Sequence, residues 1–310
     1  MDYKNFVNEQ IAAIKGAVGN HLAINALSGG VDSSVVTVLG HRAIGNGLKT
    51  VFIENGLMRQ GESERVVKLF SDMGIPVQVV DAKKEFLGAL KNLTDPEEKR
   101  NAITRTFYET VFGKLVRDTG AKYLLHGTIL TDIEETVAGI KRQHNILAQV
   151  GIDPEKEYGY QVLEPLRTLR KDGVREVAKW LGLPPEITQR IPFPGPALAT
   201  RIVGEVTEER LATVRTATAI VEEELGDTKA FQYMAVLLSD RATGIVNGKR
   251  EFGQIIVVRC IHSVDARTAT PYELSWEKMN RLCDRITSIK GVNRCLYDLT
   301  PKPPATIEYI

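Results

Sequence analysis

Leu22-Ala23-Ile24-Asn25-Ala26-Leu27-Ser28-Gly29-Gly30-Val31-Asp32-Ser33-Ser34 is the stretch whose reading decides the fold. The run Leu22–Leu27 reads as an apolar strand, it breaks at Ser28-Gly29-Gly30, and a helix follows from about Asp32. Two glycines let the backbone bend tightly and turn successive N–H groups inward. The hydroxyls of Ser28, Ser33 and Ser34 add donors, and the helix contributes its positive N-terminal end. Such a loop is built to hold phosphate or pyrophosphate. It is not a Walker A loop, which requires a lysine that this segment lacks. The plainer alternative is a Gly-Gly turn capped by serine and aspartate, but three hydroxyls and an acid between strand and helix favour an anion site.

Outward from this loop, an amphipathic helix precedes it (Tyr3 to Gly16), and short apolar strands follow at Thr50–Glu54, Val77–Val80 and Tyr123–Leu125. Helices fall between them, at Glu62–Met73 and from Pro96, with Asp95 as N-cap and proline at the first helical position. Strands alternating with helices predict an α/β fold with a doubly wound parallel sheet. Ligands bind beyond the carboxyl ends of such strands, and Ser28, Asn55 and Gly127 each follow a strand directly, so their loops should converge. Five prolines between Gly182 and Pro196 mark a link between a domain of residues 1–190 and one of residues 191–310. The second is α+β: a helix (Glu208–Glu224), strands at Tyr233–Leu238, Ile255–Ile261 and Arg294–Leu299, and a helix (Glu273–Ile289). Asn247-Gly248 predicts a tight hairpin turn with positive φ at both positions.

Composition excludes several classes. The 310 residues are 43% hydrophobic and 25% charged with a net charge of +1, which gives no basic surface for nucleic acid and no charged surface for a membrane. Cys260, Cys283 and Cys295 form no C-x-x-C pair and no cluster with histidine, so neither a zinc site nor a disulfide framework is expected. The N-terminus lacks a signal pattern and no run reaches 18 apolar residues, which predicts a cytoplasmic protein.

The loop resembles the pyrophosphate-binding motif of the N-type ATP pyrophosphatases, whose members have an adenine nucleotide alpha hydrolase-like fold. Within them the chain is similar to the GMP synthases. That likeness rests on Phe52-Ile53-Glu54-Asn55-Gly56-Leu57-Met58-Arg59, Gly127-Thr128-Ile129-Leu130-Thr131-Asp132-Ile133-Glu134-Glu135-Thr136 and Ile140-Lys141-Arg142-Gln143-His144-Asn145. It extends to Glu164-Pro165-Leu166-Arg167, Lys171-Asp172-Gly173-Val174-Arg175 and Pro192-Phe193-Pro194-Gly195-Pro196. The most specific segment is Tyr297-Asp298-Leu299-Thr300-Pro301-Lys302-Pro303-Pro304-Ala305-Thr306-Ile307-Glu308.

The resemblance implies a ligase that adenylates XMP with ATP and Mg²⁺ and then lets ammonia displace AMP. It implies ATP contacts at Ser28, Gly29, Gly30, Val31, Asp32, Ser33, Ser34, Ile53 and Gly127, with Asp32 near Mg²⁺. Catalytic roles would fall to Asp32, Asp132, Glu135, Lys141 and Lys171, the lysines meeting charge that builds on the pyrophosphate. XMP contacts would come from Arg100, His144, Asn145, Arg250, Lys302, Ile307 and Glu308. Without the resemblance, Asp132 and Glu135 read as a solvated acidic turn, Arg100 as part of a charged helix face, and the last residues as a frayed tail. Gln143 and Gly248 depart from the family pattern, as does the Tyr309-Ile310 ending.

Ammonia in this family is commonly drawn from glutamine by a nucleophilic cysteine on a strand-to-helix elbow. No Gly-x-Cys-x-Gly elbow occurs and no cysteine precedes residue 260. A separate glutamine amidotransferase subunit is therefore expected, as in archaeal members, or else free ammonia serves. The second domain is expected to form a homodimer, because its sheet would otherwise leave an apolar face uncovered. Other readings are a different N-type pyrophosphatase, such as NAD synthetase or a tRNA thiolase, and a non-catalytic ATP-binding module. A thiolase would show paired cysteines and a basic surface, which this sequence lacks.

Overall fold

The computed structural model describes residues 1–137 and 159–310. It resolves into two compact units: Met1–Glu54, Ser63–Ala82 and Phe107–Arg190 form one, and Asn55–Glu62, Lys83–Thr106 and Ile191–Ile310 the other. Among the described residues no helix is long and apolar enough to cross a membrane.

The first unit carries the expected parallel sheet. Its strands are β1 (Ala23–Ala26), β2 (Leu48–Glu54), β3 (Val77–Asp81), β4 (Tyr123–Leu125) and β5 (Gln161–Leu163), in the order β3-β2-β1-β4-β5 with every pairing parallel. The chain runs outward from β1 to β3, then crosses back to place β4 on the other side of β1. Crossovers that leave in opposite directions open a crevice between β1 and β4. The loops after those two strands, Ser28–Gly30 and His126–Thr128, therefore sit together. Helices Tyr3–Val18, Val31–Ile44 and Lys171–Trp180 pack against one another.

A buried polar chain braces the first turn of the helix Val31–Ile44. Thr50 Oγ1 donates to Asn25 Oδ1 at 2.9 Å, Asn25 Nδ2 donates to Thr37 Oγ1 at 2.6 Å, and Thr37 Oγ1 donates to the Ser33 carbonyl at 2.8 Å. Asn25 and Thr37 are fully buried, and each of these groups finds a partner, as buried polar groups must. The bracing ties β1 and β2 to the backbone that follows the loop.

The helix-start signal read from sequence at Asp95 and Pro96 holds. Asp95 Oδ1 accepts from the N–H groups of Glu97 and Glu98 at 2.8 and 2.9 Å, starting the helix Pro96–Arg105. The proline-rich link is more ordered than expected: Pro185 starts a one-turn helix, Pro185–Thr188, because its missing N–H costs nothing at the first helical position.

In the second unit β6 (Gln232–Val246) and β7 (Lys249–His262) form a long antiparallel hairpin. Short β8 (Thr270–Pro271) pairs antiparallel with β7, and β9 (Val292–Tyr297) pairs parallel with it. Both hairpin strands outrun the apolar segments expected from sequence. Their outer halves are largely exposed, and cross-strand hydrogen bonds rather than burial extend them, past a register shift between Leu237 and Arg241. Asn247 (φ 50°) and Gly248 (φ 75°) make the turn as predicted. Met234, Val236 and Val257 form a core cluster with Val203 and Leu238 packed on it. Helices Glu208–Leu225 and Trp276–Thr287 pack on each other and on the sheet.

Lys99 is a buried staple in this unit. It is 2% exposed, and its Nζ donates to the carbonyls of Ile202 (2.7 Å), Gly204 (3.0 Å) and Ala199 (3.3 Å). Burial, and then the Arg210 guanidinium, lower its pKa to about 8 from 10.5. Between those two values the unfolded chain holds more protons than the folded one, so stability should rise with pH across the window. Lys99→Met should abolish that rise, seen in denaturant midpoints measured from pH 7 to 11. It should also cost about 1–3 kcal/mol by leaving carbonyls unpaired.

Candidate active site

The Ser28–Ser34 segment is a closed loop at the switch point of the parallel sheet. Gly29 has φ 76°, a conformation that a residue with a Cβ rarely adopts. A Cβ there would also meet Val66 Cγ2 at 2.6 Å and Arg190 Nη1 at 2.9 Å. Ser33 Oγ knits the loop: it lies 3.0 Å from Ser28 Oγ, accepts from Ser28 N at 3.2 Å and donates to the Gly30 carbonyl at 3.1 Å. Gly30 is the N-cap of the helix Val31–Ile44, with no side chain capping that end. Val31 and Ser34 are buried, and Ser34 Oγ has no hydrogen-bond partner.

Asp32 is divided between two environments. Its Oδ2 accepts from Lys171 Nζ at 2.6 Å, while its Oδ1 is buried without a partner. Lys171 is the first residue of its helix, a position that aims its side chain back at the phosphate loop. Gly127 closes the other side: a Cβ on it would stand 3.4 Å from the Asp32 backbone carbon, Asp32 Cβ and Ser33 N. A Cβ there would be in van der Waals contact with the loop. Ile53, near the carboxyl end of β2, is 8% exposed. Asn55 instead closes its own turn, its Oδ1 accepting from Leu57 N at 2.8 Å.

A relay that sequence reading did not find flanks Gly127. Thr128 Oγ1 donates to Glu164 Oε1 at 2.6 Å, so it must accept from His126 Nδ1 at 2.8 Å. His126 Nε2 is then an acceptor, facing the Tyr108 hydroxyl at 3.5 Å. Burial lowers the His126 pKa, opposed by Glu164, which keeps the ring neutral in this tautomer. Burial likewise raises the Tyr108 pKa, so its hydroxyl stays a donor.

Asp132 has a structural task. Its Oδ2 accepts from Ile129 N at 3.0 Å, so it closes the start of the helix Leu130–Val137 in the manner of a capping box. The Glu135 side chain, Lys141, His144 and Asn145 lie outside the described residues.

Among the XMP candidates in the second unit, Arg100 forms an i,i+3 pair with Glu97 at 2.5 Å, the charged-face arrangement weighed against a ligand role. Arg250 is exposed on the hairpin, opposite Ile245. The tail is far from frayed. Lys302 Nζ donates to the Ala266 carbonyl at 2.8 Å, and its backbone pairs with Ala269. Glu308 accepts from Arg201 Nη2 at 3.2 Å, Arg201 Nε at 3.3 Å and Gln232 Nε2 at 2.5 Å.

The tail's anchor is Arg259, which sequence reading missed. It is 1% exposed and donates to Asp298 Oδ2 (2.6 Å) and to the carbonyls of Thr306 (2.8 Å), Thr300 (2.9 Å) and Ile307 (3.1 Å). A signal was present, since an arginine inside the apolar run Ile255–Ile261 must find an internal partner. Its partners lie some 40 to 50 residues later, where no local pattern points.

Comparison with known proteins identifies the family and the fold. The family described as NAD synthase matches residues 2–110, and that described as GMP synthase C terminal domain matches residues 219–309. The chain is 50% identical over 310 residues to a subunit of the glutamine-hydrolyzing GMP synthase of Archaeoglobus fulgidus, covering 100% of both chains. It is 47% identical to the same subunit from Methanopyrus kandleri, covering 99% of each, and 49% identical to that from Pyrococcus horikoshii, covering 100% of each. Among solved structures, the NH3-dependent NAD synthetase of Campylobacter jejuni shares the fold, with a TM-score of 0.50 and 17% identity over 61% of this chain and 78% of that one.

Proposed function

The chain belongs to the family of these GMP synthase subunits, and we propose on that footing that it is the synthetase part of a two-part ligase. It adenylates the C2 oxygen of XMP with ATP, releasing pyrophosphate, and ammonia then displaces AMP to leave GMP. The observation that carries this reading is the Ser28–Ser34 loop at the switch point, with Lys171 and Arg190 on it.

The C2 oxygen of XMP attacks the α-phosphorus of ATP, and the bond to the β-phosphate oxygen breaks. Charge then builds on the departing pyrophosphate. The loop N–H groups and the helix N-terminus would receive it, joined by the Ser28 and Ser33 hydroxyls as they turn from their contacts within the loop. Lys171 meets the same charge by exchanging its Asp32 contact for a phosphate oxygen. Ammonia adds at C2 and AMP leaves with the bridging oxygen.

Asp32 Oδ1, a buried carboxylate oxygen without a partner, suits a Mg²⁺ ion brought in on the nucleotide phosphates. Bound there, the ion supplies charge neutralisation. Among the described residues no group of three His, Cys, Asp or Glu side chains forms a metal site.

For XMP, the reading assigns Lys302, Ile307 and Glu308, with Arg100, Arg250, His144 and Asn145. Arg201 and Gln232 already orient the Glu308 carboxylate, which a purine N–H requires of its acceptor. The ammonia comes from a separate glutamine amidotransferase subunit, and the enzyme works in the cytoplasm. Its three cysteines carry no disulfide.

Purified chain should make GMP and AMP from XMP, ATP, Mg²⁺ and ammonium, and no GMP when glutamine replaces ammonium. Glutamine-dependent synthesis by this chain alone, with free ammonia scavenged, would overturn the two-part reading. Turnover with NAD precursors or tRNA in place of XMP would move the enzyme to another pyrophosphatase branch.

A homodimer through residues 195–310 completes the reading. Ile245 (79% exposed) and Phe252 (68%) stand out on the hairpin, with Leu296 and Leu299 also exposed, an apolar set that a two-fold contact would cover. Light scattering should give twice the 34.3 kDa chain mass. A monomer with full activity would refute the dimer.

A further inference from the structure

The carbonyl of Gly29 faces a cation. Arg190 Nη1 donates to it at 2.5 Å. Arg190 stands 161 residues further along the chain, and no motif or resemblance pointed to it. A peptide group is planar, with its C=O and N–H pointing in opposite directions. Fixing the Gly29 oxygen on one side of the loop therefore fixes the Gly30 N–H on the other.

That N–H stands at the start of the helix Val31–Ile44, and its contact within the loop is a 3.4 Å hydrogen bond to Ser28 Oγ. At that distance the bond is weak and readily exchanged for a better acceptor. Gly29 has the conformational freedom to turn this peptide over, since its φ of 76° reflects the absence of a Cβ. A turned peptide would present an oxygen to the anion and repel it. The guanidinium opposes that rotation, and it also offsets the partial negative charge of the oxygen close to where phosphates must sit.

We propose that Arg190 is a positioning residue of the phosphate loop: by holding the Gly29 oxygen it keeps the Gly30 N–H directed at the phosphates of ATP. The inference rests on the phosphate reading of the Ser28–Ser34 loop. Arg190 acts through the loop and is distinct in role from Lys171, which reaches the loop through Asp32.

The test compares full-length wild type with Arg190→Ala and Arg190→Lys. Inorganic pyrophosphate binding is followed by calorimetry, and KM is measured separately for ATP and XMP. Losing a charge-assisted hydrogen bond should weaken pyrophosphate and raise KM for ATP by about 10- to 100-fold in Arg190→Ala. KM for XMP should stay within about twofold. Millimolar guanidine should restore part of the ATP affinity of Arg190→Ala, and methylamine much less, because one planar fork replaces another. Arg190→Lys should fall between wild type and alanine, and it keeps the test open if the alanine variant does not fold. An unchanged KM for ATP in a folded variant would overturn the proposal. So would an equal rise for ATP and XMP without guanidine rescue, which marks a purely structural arginine. Failure of the wild type itself to bind pyrophosphate or ATP would instead refute the phosphate reading of the loop.

Discussion

Asp32→Ala should lower AMP formation by at least about 10²-fold while the thermal midpoint moves little. The size of the kinetic effect follows from the site: losing one charge-organising group where charge develops costs that much or more. The small structural effect follows from the pair it breaks. Asp32 and Lys171 are 26% and 48% exposed, and ion pairs that wet contribute little to folding. The variant also strips the loop of its buried, unpartnered carboxylate oxygen, so a titration with Mg²⁺ at fixed ATP should need more metal to saturate. Steady-state AMP release together with a melting curve checks the prediction. Turnover within a few-fold of wild type would mean that the phosphate loop has been misassigned.

The second large effect is on folding. Arg259→Met should destabilise the protein by about 3–5 kcal/mol, the cost of leaving a buried charge without its partner. Asp298 would keep its carboxylate against an apolar side chain, and three carbonyls from Thr300, Thr306 and Ile307 would lose their donor. Burial alone would push the Asp298 carboxyl up, but hydrogen bonds from Thr300 and the Arg259 charge hold it below the ordinary value. A depressed carboxyl adds stability at neutral pH that is lost as pH falls through its folded value. The variant should therefore lose that part of its acid sensitivity. Adding Asp298→Asn should recover some stability, because no charge is then stranded. Denaturant melts at pH 4 and 7 measure both effects. On the proposed reading the variant also raises KM for XMP more than KM for ATP, since it frees Ile307 and Glu308. A shift below about 1 kcal/mol would show that the tail is not anchored through Arg259.

Lys171 shows how far local pattern reaches. A lysine after Leu169-Arg170 gave no sign from sequence alone of touching residue 32, and only the family resemblance raised it. The contact exists because β1 and β4 are neighbours and the helix Lys171–Trp180 packs on Val31–Ile44. Asp132 shows the reverse case. It read as a solvated acidic turn or, by resemblance, a catalytic group, yet an acid three residues after Ile129 is a local helix-start pattern, and the structure uses it so.

The sequence by itself determined most of the elements, though not β5, β8 or the full length of the hairpin strands. Apolar runs cut by Gly-Gly, Asn-Gly and Asp-Pro specified strands, the Ser28–Ser34 loop, the hairpin turn and a capped helix, because those signals act through backbone geometry within a few residues. Tertiary structure alone decided which distant groups meet. It set Gly127 against Asp32, Arg190 on the Gly29 carbonyl, the His126–Thr128–Glu164 relay beside them, and Arg259 beneath the C-terminal tail. Hydrogen bonds and burial depend on separation in space, and strand order, which no local pattern encodes, sets that separation.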